Sequence, residues 1–257
     1  MQQSTSGNNR DFFRQLATLA AIVGAFVVNV LSNIFPLNGL SIGAISNTLF
    51  KNVLIIPANY AFAIWGLIYL GLFALAVYQF LPSQKEDEDL RKTGYLLVVA
   101  AVAQCIWVYL FLFRLFAFSI VAMLGILLPL IIIYQRLEIG KKRVSKNKKF
   151  CLHAPISIYL SWISVATIVN VACALYFGGW NGWGIANEVW TVIMLLAAAV
   201  IATVMIINYR DIAYTGVTVW ALIAIAFQHW DIFLIRNVAL GLIIILMMIV
   251  VIKSWRR

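Results

Sequence analysis

The chain has 257 residues, 64% of them hydrophobic and 11% charged, with a formal charge of +10. Several uncharged runs of about 18 or more residues are long enough to cross a bilayer, and a spanning segment must satisfy its own backbone. This excludes a soluble globular fold and specifies an all-α, polytopic helical membrane protein.

Eight transmembrane helices are predicted, over roughly 15–35, 58–81, 94–115, 117–137, 151–177, 188–208, 212–229 and 232–252. Residues 1–14, MQQSTSGNNRDFFR, read as a short polar cytoplasmic tail. The apolar run after it is too long for a signal core and lacks a small-residue cleavage site, so it reads as an uncleaved first span. A long first loop, Pro36 to Ile56, leads to Pro57 just before the second span. In that span Phe62, Trp65 and Tyr69 follow a three-and-four spacing and share one helical face.

The acidic cluster Glu86 to Asp89 reads as a solvated loop. From Gly94 to Leu137 one mid-run charge, Arg114, interrupts the apolar run, with Arg136 at its end. As one helix this run would be about twice a bilayer's thickness, so it folds back as a hairpin near Arg114. Its first arm carries Gln104 and Trp107. The basic run KKRVSKNKK, Lys141 to Lys149, reads as a topology determinant and a contact for anionic lipid, with no nucleic-acid motif beside it.

The fifth span contains YLSWISVATIVN, in which Tyr159, Trp162, Ala166 and Asn170 step by three or four residues along one stripe. Asn170 is costly toward lipid and is expected to face protein. FGGWNGWG, Phe177 to Gly184, lacks the Lys that a phosphate-binding loop would need and reads as a connection, with 179–187 as an outer loop. Residues 188–252 form three more helices, with no function assigned, and 253–257 a basic cytoplasmic tail.

In an eight-span arrangement sixteen of the nineteen Lys and Arg fall on one side, leaving Lys51, Arg114 and Arg236 on the other. The positive-inside rule then places both termini in the cytoplasm. His153 and His229 fall at opposite faces, and Asp11, Glu138, Glu188, Asp211 and Asp231 at tails, loops or span ends. No acid is left at mid-membrane for an ion-coupled pump, and no nucleophile stands beside a His and an acid. Cys105, Cys151 and Cys173 lack metal-ligand spacing and read as small packing residues, so no metal site or cofactor is expected.

Of nine tryptophans, Trp180, Trp183, Trp190, Trp230 and Trp255 fall at water boundaries as anchors. Trp65, Trp107, Trp162 and Trp220 fall well inside their spans, where an indole N–H must face another helix or a cavity. Interhelical packing, with Asn170 as polar glue, and a lined cavity for a flat apolar ligand are both open readings; Trp220 fits either.

These residues resemble the translocator protein family, also called TspO/MBR or tryptophan-rich sensory proteins. Its second-helix pattern is matched by Pro57, Phe62, Trp65 and Tyr69, and its fifth-helix Tyr-Leu-x-Trp-x-x-x-Ala-x-x-x-Asn by Tyr159, Leu160, Trp162, Ala166 and Asn170. Trp107 matches a third-helix Trp, whereas Gln104 replaces the usual Asn, Asn59 a second aromatic and Ala63 a common Pro, and Pro155 lies three residues early.

The resemblance covers residues 15–178, a TspO-like five-helix unit to which 188–252 would add three helices, as in a longer bacterial branch. It implies a receptor- or transporter-like protein of a bacterial plasma membrane. Tetrapyrroles such as porphyrin, or similar apolar small molecules, would bind at Pro57, Phe62, Trp65, Tyr69, Gln104, Trp107, Tyr159, Trp162, Ala166 and Asn170 under the first loop. It also implies pairing as a homodimer. The alternatives are a light-dependent porphyrin-degrading enzyme, with Trp65 and Trp162 as electron or radical participants, and an unrelated small-solute transporter.

Overall fold

The computed structural model describes residues 3–255, with side chains described from Asn9 onward. Eight long helices carry the fold: α1 (Gln3–Ile34), α3 (Ile64–Tyr78), α5 (Leu96–Leu112), α6 (Phe116–Arg136), α8 (Ala154–Phe177), α9 (Asn187–Tyr209), α10 (Ile212–Gln228) and α11 (Phe233–Trp255). Between them lie the short α2 (Ile42–Thr48), α4 (Glu88–Thr93) and the single turn α7 (Lys146–Lys148). Six helical stretches are long and apolar enough to span a bilayer, and the shorter apolar α5 and α10 complete the eight. The protein is an integral membrane protein of helical class.

The hairpin expected near Arg114 is present: α5 ends at Leu112, Arg114 takes a left-handed φ of 61°, and α6 begins at Phe116. Other bounds shift. The polar segment expected as a tail continues α1 from Gln3, because Arg14 and Gln15 find partners in the bundle. Arg14 donates to Leu90 O at 2.7 Å, and Gln15 and Gln79 exchange side-chain to backbone hydrogen bonds at 2.8 and 3.0 Å. The second span opens as a 3₁₀ turn, Asn59–Ala63, and a π-helical turn, Lys149–His153, precedes α8. Lys253, expected in the tail, belongs to the last turn of α11, and Arg256 and Arg257 lie outside the described residues.

Helices α1, α3, α5, α6 and α8 form one bundle, in which α5 packs between α1 and α6, and α8 between α6 and α3. The α5–α6 hairpin closes tightly because Gly125 faces Ala103: a Cβ on Gly125 would stand 3.2 Å from the Ala103 methyl. Helices α9, α10 and α11 pack on one another, and α10 joins them to the bundle along α8. Ser161 Oγ donates to Tyr214 O at 2.7 Å, Ala58 N to Ala224 O at 3.1 Å and Trp220 Nε1 to Ala61 O at 3.1 Å. Trp220 therefore packs as a strut between α10 and the start of the second span.

At the end of the bundle that holds the termini, the acidic segment differs from the expectation of a solvated loop. Asp89 is buried, with Lys148 at 2.8 Å and Lys92 at 3.2 Å, and Asp87 caps α4 while pairing with Lys148 at 2.6 Å. Burial alone would raise the Asp89 carboxyl, but the hydrogen bonds from Lys148 and Lys92 outweigh it and hold the group at about 2. Part of the basic run thus clamps α4 to the foot of α8.

Candidate ligand site

At the opposite end of the bundle the chain leaves α1, forms α2 and returns through Pro57 to the second span. Ser41 starts α2 by accepting a hydrogen bond from Ala44 N, and Phe50 anchors the returning segment against Phe116, with ring centroids 4.8 Å apart. This covers a small cavity of about 50 Å³ between α3, α5, α6 and α8.

Seven of the ten residues expected at a site border this cavity: Pro57, Phe62, Trp65, Trp107, Trp162, Ala166 and Asn170. The three-and-four spacing on α8 puts Trp162, Ala166 and Asn170 along one wall. Phe62 meets Trp162 edge to face at 6.1 Å, and Trp107 leans on Phe111 at 5.2 Å. The indoles thus come from three different helices.

Asn170 is 3% exposed and joins three helices. Its Oδ1 accepts from Trp107 Nε1 at 3.0 Å and from Ser119 Oγ at 3.1 Å. The donor to Oδ1 fixes which way the carboxamide points, and Nδ2 is left with no partner among the described residues. One buried amide donor therefore remains at the cavity.

The other three expected residues, Tyr69, Gln104 and Tyr159, do not border the cavity; their polar atoms turn to one another. Tyr69 donates to Ala25 O at 2.9 Å, Gln104 Nε2 donates to Tyr69 Oη at 2.6 Å, and Tyr159 donates to Gln104 Oε1. This chain of hydrogen bonds ties α1, α3, α5 and α8 together behind Trp65, whose ring packs on Tyr69 and Tyr159 at 5.9 and 6.1 Å. A carboxamide one methylene longer than Asn gives α5 the reach to meet both phenols.

Sequence reasoning missed Ile42 and Ser46 of α2, Phe111, Met123 and Ile126 of the hairpin, and Val169. The first two sit in a loop whose path no periodicity specifies. Met123 and Ile126 step by three on α6, a signal that any packed helix also gives.

The model of one protein family, described as TSPO-like protein, matches residues 15–252. That match extends through α9, α10 and α11. No curated protein and no solved structure matches the chain.

Proposed function

The chain belongs to the TSPO-like family, and on that premise we propose that it is a receptor- or transporter-like membrane protein taking a flat aromatic molecule of the tetrapyrrole type, or a similarly apolar small molecule, into the indole-lined cavity. The observation that carries this reading is the meeting of Trp65, Trp107 and Trp162 with the unpaired Asn170 Nδ2 at one cavity. Indole faces offer stacking surfaces, and the amide offers one directed hydrogen bond to an acceptor on the guest.

At about 50 Å³ the cavity is small, whereas sites for drug-sized ligands run to about 300–1,000 Å³. Entry of a tetrapyrrole in this reading displaces α2 and the segment to Pro57, with Phe50 as the anchor about which they move. The termini face the cytoplasm of a bacterial plasma membrane. The exposed Arg143, Lys146 and Lys149, which are not engaged with Asp89, meet anionic headgroups there.

Detergent-purified protein titrated in the dark with protoporphyrin IX, followed by Trp fluorescence, tests the reading. Saturable quenching lost when Trp65→Phe and Trp162→Phe are combined supports it. Equal quenching in the variant, or partition no different from empty micelles, overturns it. Illumination of the same samples reads the photochemical alternative directly: faster bleaching with the unaltered protein than with the variant assigns the indoles a part in chemistry.

A further inference from the structure

A second and larger cavity, about 390 Å³, lies on the other side of α8, between α8, α9 and the residues that follow α2. It shares no lining residue with the indole-lined cavity: Val165, Ala166, Val169 and Asn170 face that one, and Thr167, Ile168, Val171 and Ala172 face this one. The stretch of α8 from 165 to 172 is the wall between them.

The second cavity is a slot with two unlike ends. Along α8 it runs from Thr167 to Tyr176 and along α9 from Ala197 to Asn187, a depth of about 15 Å on either wall. That is about half the hydrocarbon thickness of a bilayer, so the slot lies within one leaflet. Its mouth, at the end away from the termini, holds Asn52, Tyr176, Asn187 and Trp190; its depth holds Ile168, Met194 and Ala197.

The mouth is built. Asn52 Nδ2 donates to Tyr176 Oη at 3.1 Å, which leaves the phenol proton free to donate outward. Trp190 Nε1 donates to Gly182 O at 2.9 Å, fixing the indole as one side of the entrance. Gly182 is needed there: its φ is +65°, and a Cβ would lie 3.3 Å from Trp190 Nε1. Half-exposed Leu175 and Ile193 flank the slot, so it opens sideways to lipid. Among the described residues no charged side chain lines it.

We propose that this slot binds an uncharged single-chain amphiphile of the monoacylglycerol class, drawn from the leaflet facing away from the termini. Its hydroxyl-bearing head is held by Asn52, Tyr176 and Asn187, and its chain runs down to Ala197. A volume within the ligand range, a depth of one leaflet, lateral access and amide and phenol groups gathered at the mouth fit such a molecule, and the deeper Thr167 and Thr191 hydroxyls already donate to backbone carbonyls of their own helices. A charged head would find no counter-ion in the lining. This assignment is independent of the aromatic-ligand reading, since the two sites occupy opposite faces of α8.

The test is photolabelling of the full-length protein in phosphatidylcholine vesicles with a monoacylglycerol carrying a diazirine on its chain, read by peptide mass spectrometry. We expect saturable labelling confined to peptides 167–176 and 187–197, competed by unlabelled monoacylglycerol. Ala172→Phe with Ala197→Phe fills the slot with apolar bulk and is expected to lower that labelling at least fivefold. Unchanged helical circular dichroism and monodisperse elution of this variant would show that the protein has folded, whatever the indole cavity binds. Label spread evenly over the lipid-facing helices, uncompeted, or unchanged by the double substitution would overturn the proposal. Equal competition by a fatty acid carboxylate would overturn the claim of an uncharged head.

Discussion

Replacing Gln104 by Leu should separate the wall of the indole cavity from its lining. The side chain is 1% exposed and holds two phenols, donating to Tyr69 Oη and accepting from Tyr159. In Gln104→Leu, Tyr69 keeps its own donation to Ala25 O and loses only an incoming bond. Tyr159, 1% exposed, is left with a buried hydroxyl proton and no acceptor. An orphaned buried donor costs about 1–3 kcal/mol, and a lost interhelical hydrogen bond in a membrane protein averages about 0.6 kcal/mol. Together they give a destabilisation of about 1.6–3.6 kcal/mol.

Adding Tyr159→Phe removes the orphaned hydroxyl, so the double variant should recover about 1–2 kcal/mol relative to the sum of the single effects. The assay is the denaturant midpoint and slope in mixed micelles for the four members of the cycle, with porphyrin affinity measured alongside. Affinity should change less than about threefold, because none of the three polar residues borders the cavity. Energies that add to within about 0.5 kcal/mol, or an affinity loss larger than that of Trp65→Phe, would refute the argument.

Three further substitutions follow: two probe the end of the bundle near the termini, and one, in the loop after α1, is a control. Gly140 has a φ of +82°, and a Cβ there would lie 1.8 Å from the backbone carbonyl of Tyr209, so Gly140→Ala should destabilise by about 2–4 kcal/mol. Gly39→Ala, at +78° with open space around it, should cost about 1 kcal/mol as a control in the same unfolding assay. Asp89 is held low, at about 2, against an ordinary 3.8. A depressed carboxyl stabilises the fold above its unfolded pKa and loses that contribution as pH falls from about 4 to about 2. Asp89→Asn should therefore cost about 1–2 kcal/mol at neutral pH, allowing for solvent around the lysines, and should flatten that acid limb of the stability curve.

Helical class, the existence of eight apolar segments and the turn at Arg114 were all legible in the residues, because lipid admits few backbone solutions and length alone forces the fold-back. The stripe on α8 was legible for the same kind of reason: a spacing of three and four puts Trp162, Ala166 and Asn170 on one face wherever that face turns. The family resemblance extended this to residues on separate helices, since Trp65 and Trp107 carry no local signal that they meet.

Which of two neighbours on a stripe faces a cavity was not legible. Tyr159 and Trp162 lie three residues apart, yet one binds Gln104 and the other borders the cavity, a choice made by how α3, α5 and α8 rotate against one another. Asp89 looked solvated because its neighbours are charged, and it is buried because Lys148, fifty-nine residues on, returns to it. What must be hidden from water and what must not meet lipid could be read from the chain alone, since those costs attach to single residues and their spacing. Which face of α8 bounds which cavity, how α10 braces the second span through Trp220, and why a slot opens between α8 and α9 depend on contacts between residues distant in the chain. Only the packed helices decide those.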